Sequence, residues 1–204
     1  MSRKVFFSFH FKRDAWRAGQ VRNANLLADE DKYGVIDGAD WEKIEREGDT
    51  AIERWIEDQL KYTSVTVVLI GAETAERDWV EHEIRRSWER GNALLGVRIH
   101  NVKNQDGKTD ARGLNPFDSI YLKNGNPLSD VSKTYDWVND DGRSNLGDWV
   151  EDAFKARKAY DGEEELRKSG SPAAAASLSA RNAEDRGGFV PRSPWCADSA
   201  DRRR

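Results

Sequence analysis

The chain has 204 residues, with 37 acidic and 33 basic side chains and a formal net charge of −4, which fits one domain with an appendage or one large domain. Its interspersed charges argue against a nucleic-acid partner, one cysteine excludes an internal disulfide and a four-cysteine zinc site, and the three histidines show no ligand spacing. No apolar run approaches the roughly 20 residues of a membrane span, and the N-terminus turns polar too early for a signal peptide, so we expect a cytoplasmic protein with no membrane partner and no metal.

The apolar residues are concentrated in the first 160 positions, which hold seven of the eight tryptophans. Residues 163–204 are poor in aliphatic side chains and rich in Ser, Ala, Gly and Arg. Such a composition buries too little to offset the entropy lost on ordering. We therefore predict a domain over residues 1–160 and a low-complexity tail over 161–204 that is disordered or weakly helical.

The first half of the chain alternates strand-like and helix-like patterns. Residues 4–9 (KVFFSF) predict a buried strand, and residues 33–37 (YGVID) predict a second, short one. A helix is predicted between them over 14–30, on the spacing of Ala18, Val21, Ala24, Leu27 and Ala28. The next helix opens with Thr50 and Glu53, the pattern of a capping box. Its apolar stripe consists of Ile52, Trp55, Ile56 and Leu60.

Residues 64–71 (SVTVVLIG) are apolar on both faces, as in a central strand covered by helices on both sides. A helix is predicted over 74–90, ending at Gly91. The remaining predicted elements are a strand at 93–100, a polar loop with a hairpin tip at Asp106 and Gly107, a final short strand at 119–122, and a closing helix at 137–154.

This order predicts an α/β fold with a flavodoxin-like, doubly wound parallel sheet of about five strands. Such sheets bind ligands beyond the carboxyl ends of their strands. In this chain those ends are predicted at residues 8–11, 37–41, 71–74 and 100–101.

Three motifs of known α/β domains are absent from the sequence. The first strand lacks a G-x-G-x-x-G turn, so a dehydrogenase is not expected. The segment GKT at 107–109 has Val102 where a phosphate-binding loop needs glycine, and the central strand lacks the closing aspartate of a receiver domain. His10 and His100 follow strands and are candidate ligand contacts, although ordinary polar roles are the commoner explanation for single histidines.

Glu83 is the most unusual residue of the helix at 74–90. At 100° per residue it lies beside the apolar face of Val80 and Ile84, stacked between Trp79 and Ser87. A carboxylate shielded by an indole loses solvation, which raises its pKa and marks a candidate functional group. The alternative is a border glutamate whose stem packs while its head stays in water.

Three motifs in order, FFSFH, TSVTVVLIG and RDWVEHEI, resemble those of TIR domains. More narrowly, KVFFSFH, VRN at 21–23, W-V-x-x-E-I and NPFD at 115–118 are similar to the TIR-like proteins of the bacterial Thoeris antiphage system. The resemblance covers about residues 1–155. It implies the TIR fold, with Trp79 and Glu83 at the positions of the family's tryptophan and catalytic glutamate.

The resemblance also implies an activity: cleavage of NAD+ as substrate, with release of nicotinamide and formation of a cyclic ADP-ribose-type signal for a partner effector. No cofactor is implied, and self-association through TIR surfaces is expected. One carboxylate suits this chemistry, because the leaving group is already cationic and a nearby anion stabilises the oxocarbenium character of the ribose.

The remaining candidate substrate-binding residues are Phe7, Ser8, Phe9 and His10, which end the first strand, with Asp37, Trp41 and Trp79. Phe7 and Phe9 are equally compatible with core positions, since alternate side chains point to opposite faces. The loop 37–41 stands where the family has its BB loop, or is a plain surface connection. Arg22 and Asn23 have a functional role or belong to a solvated helix face.

Two rival functions remain: a non-catalytic TIR interaction module, and a nucleoside deoxyribosyltransferase-like enzyme, which also uses a glutamate on a flavodoxin-like sheet.

Overall fold

The structure is a computed structural model that describes residues 3–24, 32–33, 44, 46–162 and 165–168. All of them lie in the unit formed by residues 1–169. The strands of this part of the chain are β1 Val5–Phe9, β2 Lys32–Tyr33, β3 Val65–Ile70, β4 Ala93–Arg98 and β5 Thr134–Asp136. The α-helices are α1 Phe11–Arg22, α2 Asp49–Leu60, α3 Asp78–Glu89 and α4 Gly142–Ala159.

The five strands form one parallel sheet in the order β2-β1-β3-β4-β5. This is the flavodoxin-like, doubly wound order, and the predicted fold class is confirmed. The strand order reverses at β1 and β3, which pair from Val5 with Val65 to Phe9 with Leu69. In such sheets the ligand crevice lies beyond the carboxyl ends of the strands at this switch point.

Helices cover both faces of the sheet. Phe7, Val67 and Leu69 point toward α1 and α4 and form one core with Ala18, Val21, Leu146 and Val150. On the other face, Val68 and Ile70 pack against α3, and Phe6 packs against α2. The central strand β3 is buried along its whole length. Its doubly apolar sequence reflects this two-sided burial.

The first two helices begin earlier than predicted. Helix α1 starts at Phe11, because the His10 carbonyl already accepts hydrogen bonds from the N–H groups of Arg13 and Asp14. It ends at Arg22, and residues 25–30 of the predicted helix lie outside the described residues. Helix α2 starts at Asp49 after Gly48, with no side-chain cap hydrogen bond. The predicted capping box is therefore wrong: Thr50 is already inside the helix.

The helix predicted over 74–90 is interrupted near its start. A short 3₁₀ turn, Thr74–Glu76, precedes α3, which begins at Asp78. The Thr74 hydroxyl accepts from the Gly71 N–H at 2.9 Å, which bends the chain as it leaves β3. The predicted end is confirmed: Gly91 has φ +82, and the N–H groups of Gly91 and Asn92 bond to the carbonyls of Trp88 and Ser87. This is a Schellman motif.

The last predicted strand is wrong. Residues 119–122 are not in the sheet; Tyr121 and Leu122 form only isolated bridges, to Pro127 and Leu166. The sheet ends instead with Thr134–Asp136, a short and half-buried strand whose sequence carries little apolar signal. The closing helix correspondingly lies later than predicted, at Gly142–Ala159. Strand β4 ends at Arg98, two residues before the predicted end.

Residues 165–168 lie beyond the predicted domain boundary and contact the domain. The Arg167 N–H bonds to the Tyr121 carbonyl, and Arg85 Nη1 donates to the Arg167 carbonyl at 2.7 Å. Residues after 168 lie outside the described residues, so the predicted character of the tail stays a prediction. In the part of the chain that the structure describes, no helix is long and apolar enough to cross a membrane.

Candidate functional site

Glu83 is buried at the centre of α3, with 7% of its surface exposed. It faces Ser8, the second-last residue of β1, whose side chain is 1% exposed. The carboxyl group is therefore inside the protein, just below the carboxyl edge of the sheet at the switch point. The alternative interpretation, a border glutamate with a wet head, is wrong.

Burial raises the pKa of Glu83 to about 8, because a carboxylate in an apolar environment loses its hydration. The Ser8 hydroxyl acts in the opposite direction and stabilises the ionised form. Ser8 Oγ makes no hydrogen bond of good geometry with any described residue, and the Glu83 carboxyl is the polar group that it faces. At neutral pH Glu83 is mostly protonated while the site is empty.

Two apolar clusters hold α3 and thereby Glu83. Val80, Ile84 and Trp88 pack against the strand residues Val68 and Ile70. Trp79 joins a second cluster, built around Phe6 and the apolar stripe of α2. Glu83 lies on the helix face between these contacts.

One turn after Glu83, the buried Ser87 hydroxyl accepts from Thr66 Oγ1 at 2.8 Å. One turn before it, half-buried Trp79 contacts His82 edge-on, with ring centroids 5.6 Å apart. The tryptophan–glutamate spacing of the sequence thus brings an indole and a buried carboxyl to one side of α3.

The candidate residues at the end of β1 divide between the two faces of the sheet. Ser8 shares the face of Glu83. Phe7, 2% exposed, lies in the core on the opposite face, and half-buried Phe9 packs against the same core. The Phe9 ring is 6.0 Å from that of Phe11. The structure therefore brings Ser8, and not the ring of Phe7, to the buried glutamate.

His10 lies where β1 passes into α1, above the carboxyl edge of the sheet. Burial lowers the pKa of His10, and the nearby Arg77 guanidinium lowers it further. Its Nδ1 is 4.0 Å from Glu73 Oε2. Arg77, the residue before α3, also approaches Glu73, at 3.6 Å. His10, Glu73 and Arg77 thus form a polar rim beside the N-terminal end of α3.

The other candidates lie elsewhere. His100 Nε2 is 3.9 Å from Asp136 Oδ2, beyond β4 and β5, and burial lowers the pKa of His100. Arg22 and Asn23 end α1 at the far end from His10, and Asn23 is exposed. Asn115, in the NPFD motif, accepts from the Phe117 N–H as in a turn. Asp37 and Trp41 lie outside the described residues, so their roles stay predictions.

Sequence reasoning missed a second buried carboxyl, Asp14 on α1. It is fully buried, pairs with Arg17 at 3.0 Å, and packs so closely on Gly71 that a Cβ there would lie 2.2 Å from Asp14 Oδ2. Burial raises the pKa of Asp14, and Arg17 opposes that rise. The signal was present: Asp14, Ala18 and Val21 follow helical spacing, so the aspartate lies on the buried stripe.

Arg17 also ties this pair to the loop after β4. Its Nε donates to the Val102 carbonyl at 2.8 Å. One turn earlier, Arg13 donates to Asp110 and Glu73. These contacts form a structural network at the carboxyl edge of the sheet. Within the described ranges, no group of three or more His, Cys, Asp or Glu side chains is placed to hold a metal ion.

The flavodoxin-like sheet, with a buried glutamate one turn after a tryptophan on the helix that follows the central strand, defines a TIR-type domain. The family described as Thoeris protein ThsB, TIR-like domain, matches residues 6–104. A protein of Bacillus cereus (strain MSX-D12) named "Putative cyclic ADP-D-ribose synthase ThsB1" is 32% identical over 191 residues, spanning 74% of this chain and all of that relative. The chain belongs to this ThsB family of TIR-like Thoeris proteins.

Proposed function

We propose that this protein cleaves NAD+, releases nicotinamide and forms a cyclic ADP-ribose-type signal in antiphage defence, with Glu83 as the catalytic carboxylate. The observation that carries the role of Glu83 is its burial beside Ser8 at the switch point of the sheet. The ThsB1 relative bears the name of a cyclic ADP-D-ribose synthase, which supports the same reaction class here.

The proposed chemistry uses the one carboxyl group in two states. In the empty site, desolvation keeps Glu83 largely neutral. The cationic nicotinamide-ribose of NAD+ favours the ionised form, since a nearby opposite charge lowers the pKa of a carboxyl. The ribose–nicotinamide bond then breaks, its electron pair leaves with neutral nicotinamide, and the carboxylate stabilises the oxocarbenium ion that remains.

The oxocarbenium ion is captured by a nitrogen of the adenine of the same molecule, which closes the ring; attack by water would instead give open ADP-ribose and a proton. Ser8 orients the carboxyl, and Trp79 shields it. His10 at this rim is a proposed substrate contact, and so are Asp37 and Trp41, which lie outside the described residues. No cofactor is required besides the substrate.

The proposed setting has three further parts. The protein acts in the cytoplasm, self-associates through TIR surfaces, and signals through its nucleotide product to a separate effector. Support for them comes from family membership. Size-exclusion chromatography with light scattering, with and without NAD+, tests the self-association.

The experiment compares the unaltered chain with Glu83→Gln and Glu81→Gln. Glu81 is a matched control on the same helix, half-buried and paired with Arg85 at 2.7 Å. Nicotinamide release and nucleotide products are followed by liquid chromatography and mass spectrometry, with purified protein and in phage-infected cells. We expect Glu83→Gln to lose about a hundredfold or more in rate, because one transition-state electrostatic contact is worth roughly 3 kcal/mol.

Glu81→Gln should stay within about threefold of the unaltered chain, as expected for an exposed helix ion pair. Full activity of Glu83→Gln would contradict the assignment. Deoxynucleosides as the preferred substrates would favour the deoxyribosyltransferase-like alternative. An inert chain that self-associates in both settings would favour the interaction module.

A further inference from the structure

A cavity lies at the opposite end of α3 from Trp79, bounded by α3, α4 and the edge of the sheet. Its volume is about 150 Å³. Among the described residues β5 pairs with β4 only over Gly96–Arg98, so the first half of β4 has no neighbouring strand on that side. The loop between Ser129 and Lys133 covers the gap without filling it.

The walls of this cavity are aromatic. Trp88 and Tyr160 meet edge-on with centroids 5.6 Å apart, and Tyr135 stacks on Trp149 at 4.3 Å. A cavity of about 150 Å³ lined by apolar groups is large enough for one benzene ring. Aromatic rings favour planar ligands, which they contact edge-on or in offset stacks.

Two residues that line the cavity carry a hydrogen-bond donor, Ser132 on its side chain and Leu94 on its backbone. Ser132 is 4% exposed, lines the cavity, and its hydroxyl makes no hydrogen bond within the described residues. The Gly96 N–H bonds to the Lys133 carbonyl, so the Leu94 N–H, two residues earlier, points to the same edge, where no strand pairs with it. Buried polar groups are normally satisfied, and an exception calls for a bound partner.

The half-buried charged residue of the lining is an arginine. Half-buried Arg157 stands with its guanidinium 4.1 Å from the centroid of the Trp88 ring. A stacked guanidinium directs its N–H donors sideways, in the plane that suits a carboxylate. The other charged lining residues, Asp130, Lys133 and Asp152, are exposed and belong to the rim.

We propose that this cavity is a binding site for a single-ring aromatic carboxylate. The ring occupies the space between the aromatic walls, and the carboxylate accepts from the Ser132 hydroxyl, the Leu94 N–H and the Arg157 guanidinium. The site is separate from Glu83 and does not depend on the proposed NAD+ cleavage. It does touch the same helix, through Trp88.

The test is ¹⁹F NMR of 4-fluorobenzoate with the full-length chain, with benzoate, benzamide and acetate as competitors. We expect benzoate to displace the probe, benzamide to bind at least about fivefold more weakly because it lacks the charge, and acetate to have no effect because it lacks the ring. Ser132→Ala should weaken binding about fivefold to tenfold, the range of one hydrogen bond. Ser144→Ala, on an exposed position of α4, is the matched control.

Ala153→Leu adds bulk to the cavity wall and should abolish binding; circular dichroism checks that the variants remain folded. Absence of probe broadening at millimolar concentration would overturn the proposal and leave a cavity that holds only water. Broadening that survives both Ser132→Ala and Ala153→Leu would overturn it as well, since the ring would then bind elsewhere. Displacement by acetate as effective as by benzoate would assign a simple anion site instead.

Discussion

At the scale of single residues, Glu83 combines two properties that oppose each other. Its burial gives the carboxylate electrostatic reach toward a bound cation, because the surroundings screen it poorly. The same burial makes the ionised form unfavourable, which raises the pKa of Glu83 to about 8. The form proposed to be active is thus the less stable form of the empty protein.

The activity should therefore depend on pH through this one group. If kcat/KM requires ionised Glu83 in the free enzyme, it should rise about fivefold between pH 7 and pH 8 and level off above pH 8. Ser8→Ala removes a group that stabilises the ionised form, so its profile should shift to higher pH. Initial rates of nicotinamide release across pH 6–9 measure both, and a flat profile would count against the role of Glu83.

As pH rises, the ionisation of Glu83 should increase the activity but decrease the stability of the folded protein. The pKa of Glu83 is higher in the folded state than its usual 4.5, so the folded state binds more protons and this contribution to stability falls as pH rises from about 4.5 to 8. Glu83→Gln has no charge to bury. Near pH 8 its free energy of unfolding should exceed that of the unaltered chain by roughly 4 kcal/mol.

The stability advantage of Glu83→Gln over the unaltered chain should shrink toward zero at pH 5. Urea unfolding at pH 5, 6.5 and 8 measures the difference, and an advantage of equal size at all three values would mean that it does not come from ionisation.

At the scale of elements, α3 is positioned by its packing and by the way it ends. Val80 and Ile84 on its apolar face pack against the sheet. The Schellman motif at Gly91 ends the helix and leads the chain directly into β4. Gly91 has φ +82, a backbone conformation that glycine adopts without strain. The end of α3 thus depends on one residue type at one position.

Gly91→Ala should lower the free energy of unfolding by about 1 kcal/mol, because alanine is strained in the left-handed region. Gly19→Ala is the matched control: Gly19 lies inside α1, and an added Cβ would meet nothing within 4 Å. That change should raise the free energy of unfolding by roughly 0.5–1 kcal/mol, through helix propensity. Thermal melts compare the two variants, and equal shifts of the same sign would contradict this account of the helix end.

At the scale of the whole molecule, a network of charged side chains links α1 to the loop after β4 at the carboxyl edge of the sheet. Asp14 and Arg17 are buried together on α1, and Arg17 reaches the loop after β4 through the Val102 carbonyl. A buried pair of this kind contributes little by itself, but removing one partner leaves the other charge uncompensated. The network therefore joins α1 to the loop around residue 102, across the end of β3.

Arg17→Ala should lower the free energy of unfolding by about 3–5 kcal/mol, since it leaves the buried Asp14 carboxyl without its ion-pair partner. Arg13→Ala is the control on the same helix: Arg13 pairs with Asp110 and Glu73, but it is 36% exposed. Exposed pairs are worth about 1 kcal/mol or less. Chemical denaturation distinguishes the two, and comparable losses would show that burial of the Asp14–Arg17 pair is not the deciding factor.

The sequence by itself predicted the fold class and the central strand, and it pointed to Glu83 as the candidate catalytic residue. Strand β3 and the end of α3 were predictable because the apolar pattern of β3 and the glycine at 91 are local properties. Glu83 could be singled out because the helical period places it next to Trp79 and Ser87, and because the motif around it resembles the catalytic motif of TIR domains; the spacing alone left a border glutamate as the alternative.

Only the tertiary structure decided what those residues contact. Helical spacing placed Glu83 beside an apolar face, but its burial depends on β1 presenting Ser8 to α3. Whether the Phe7 side chain lies in the core or in the site depends on which face of the sheet α1 covers. No local sequence pattern encodes that choice. Strand β5 was missed because Thr134–Asp136 is held by pairing with β4 and not by its own composition. Local periodicity specifies which side chains are buried, whereas long-range packing specifies which of them meet.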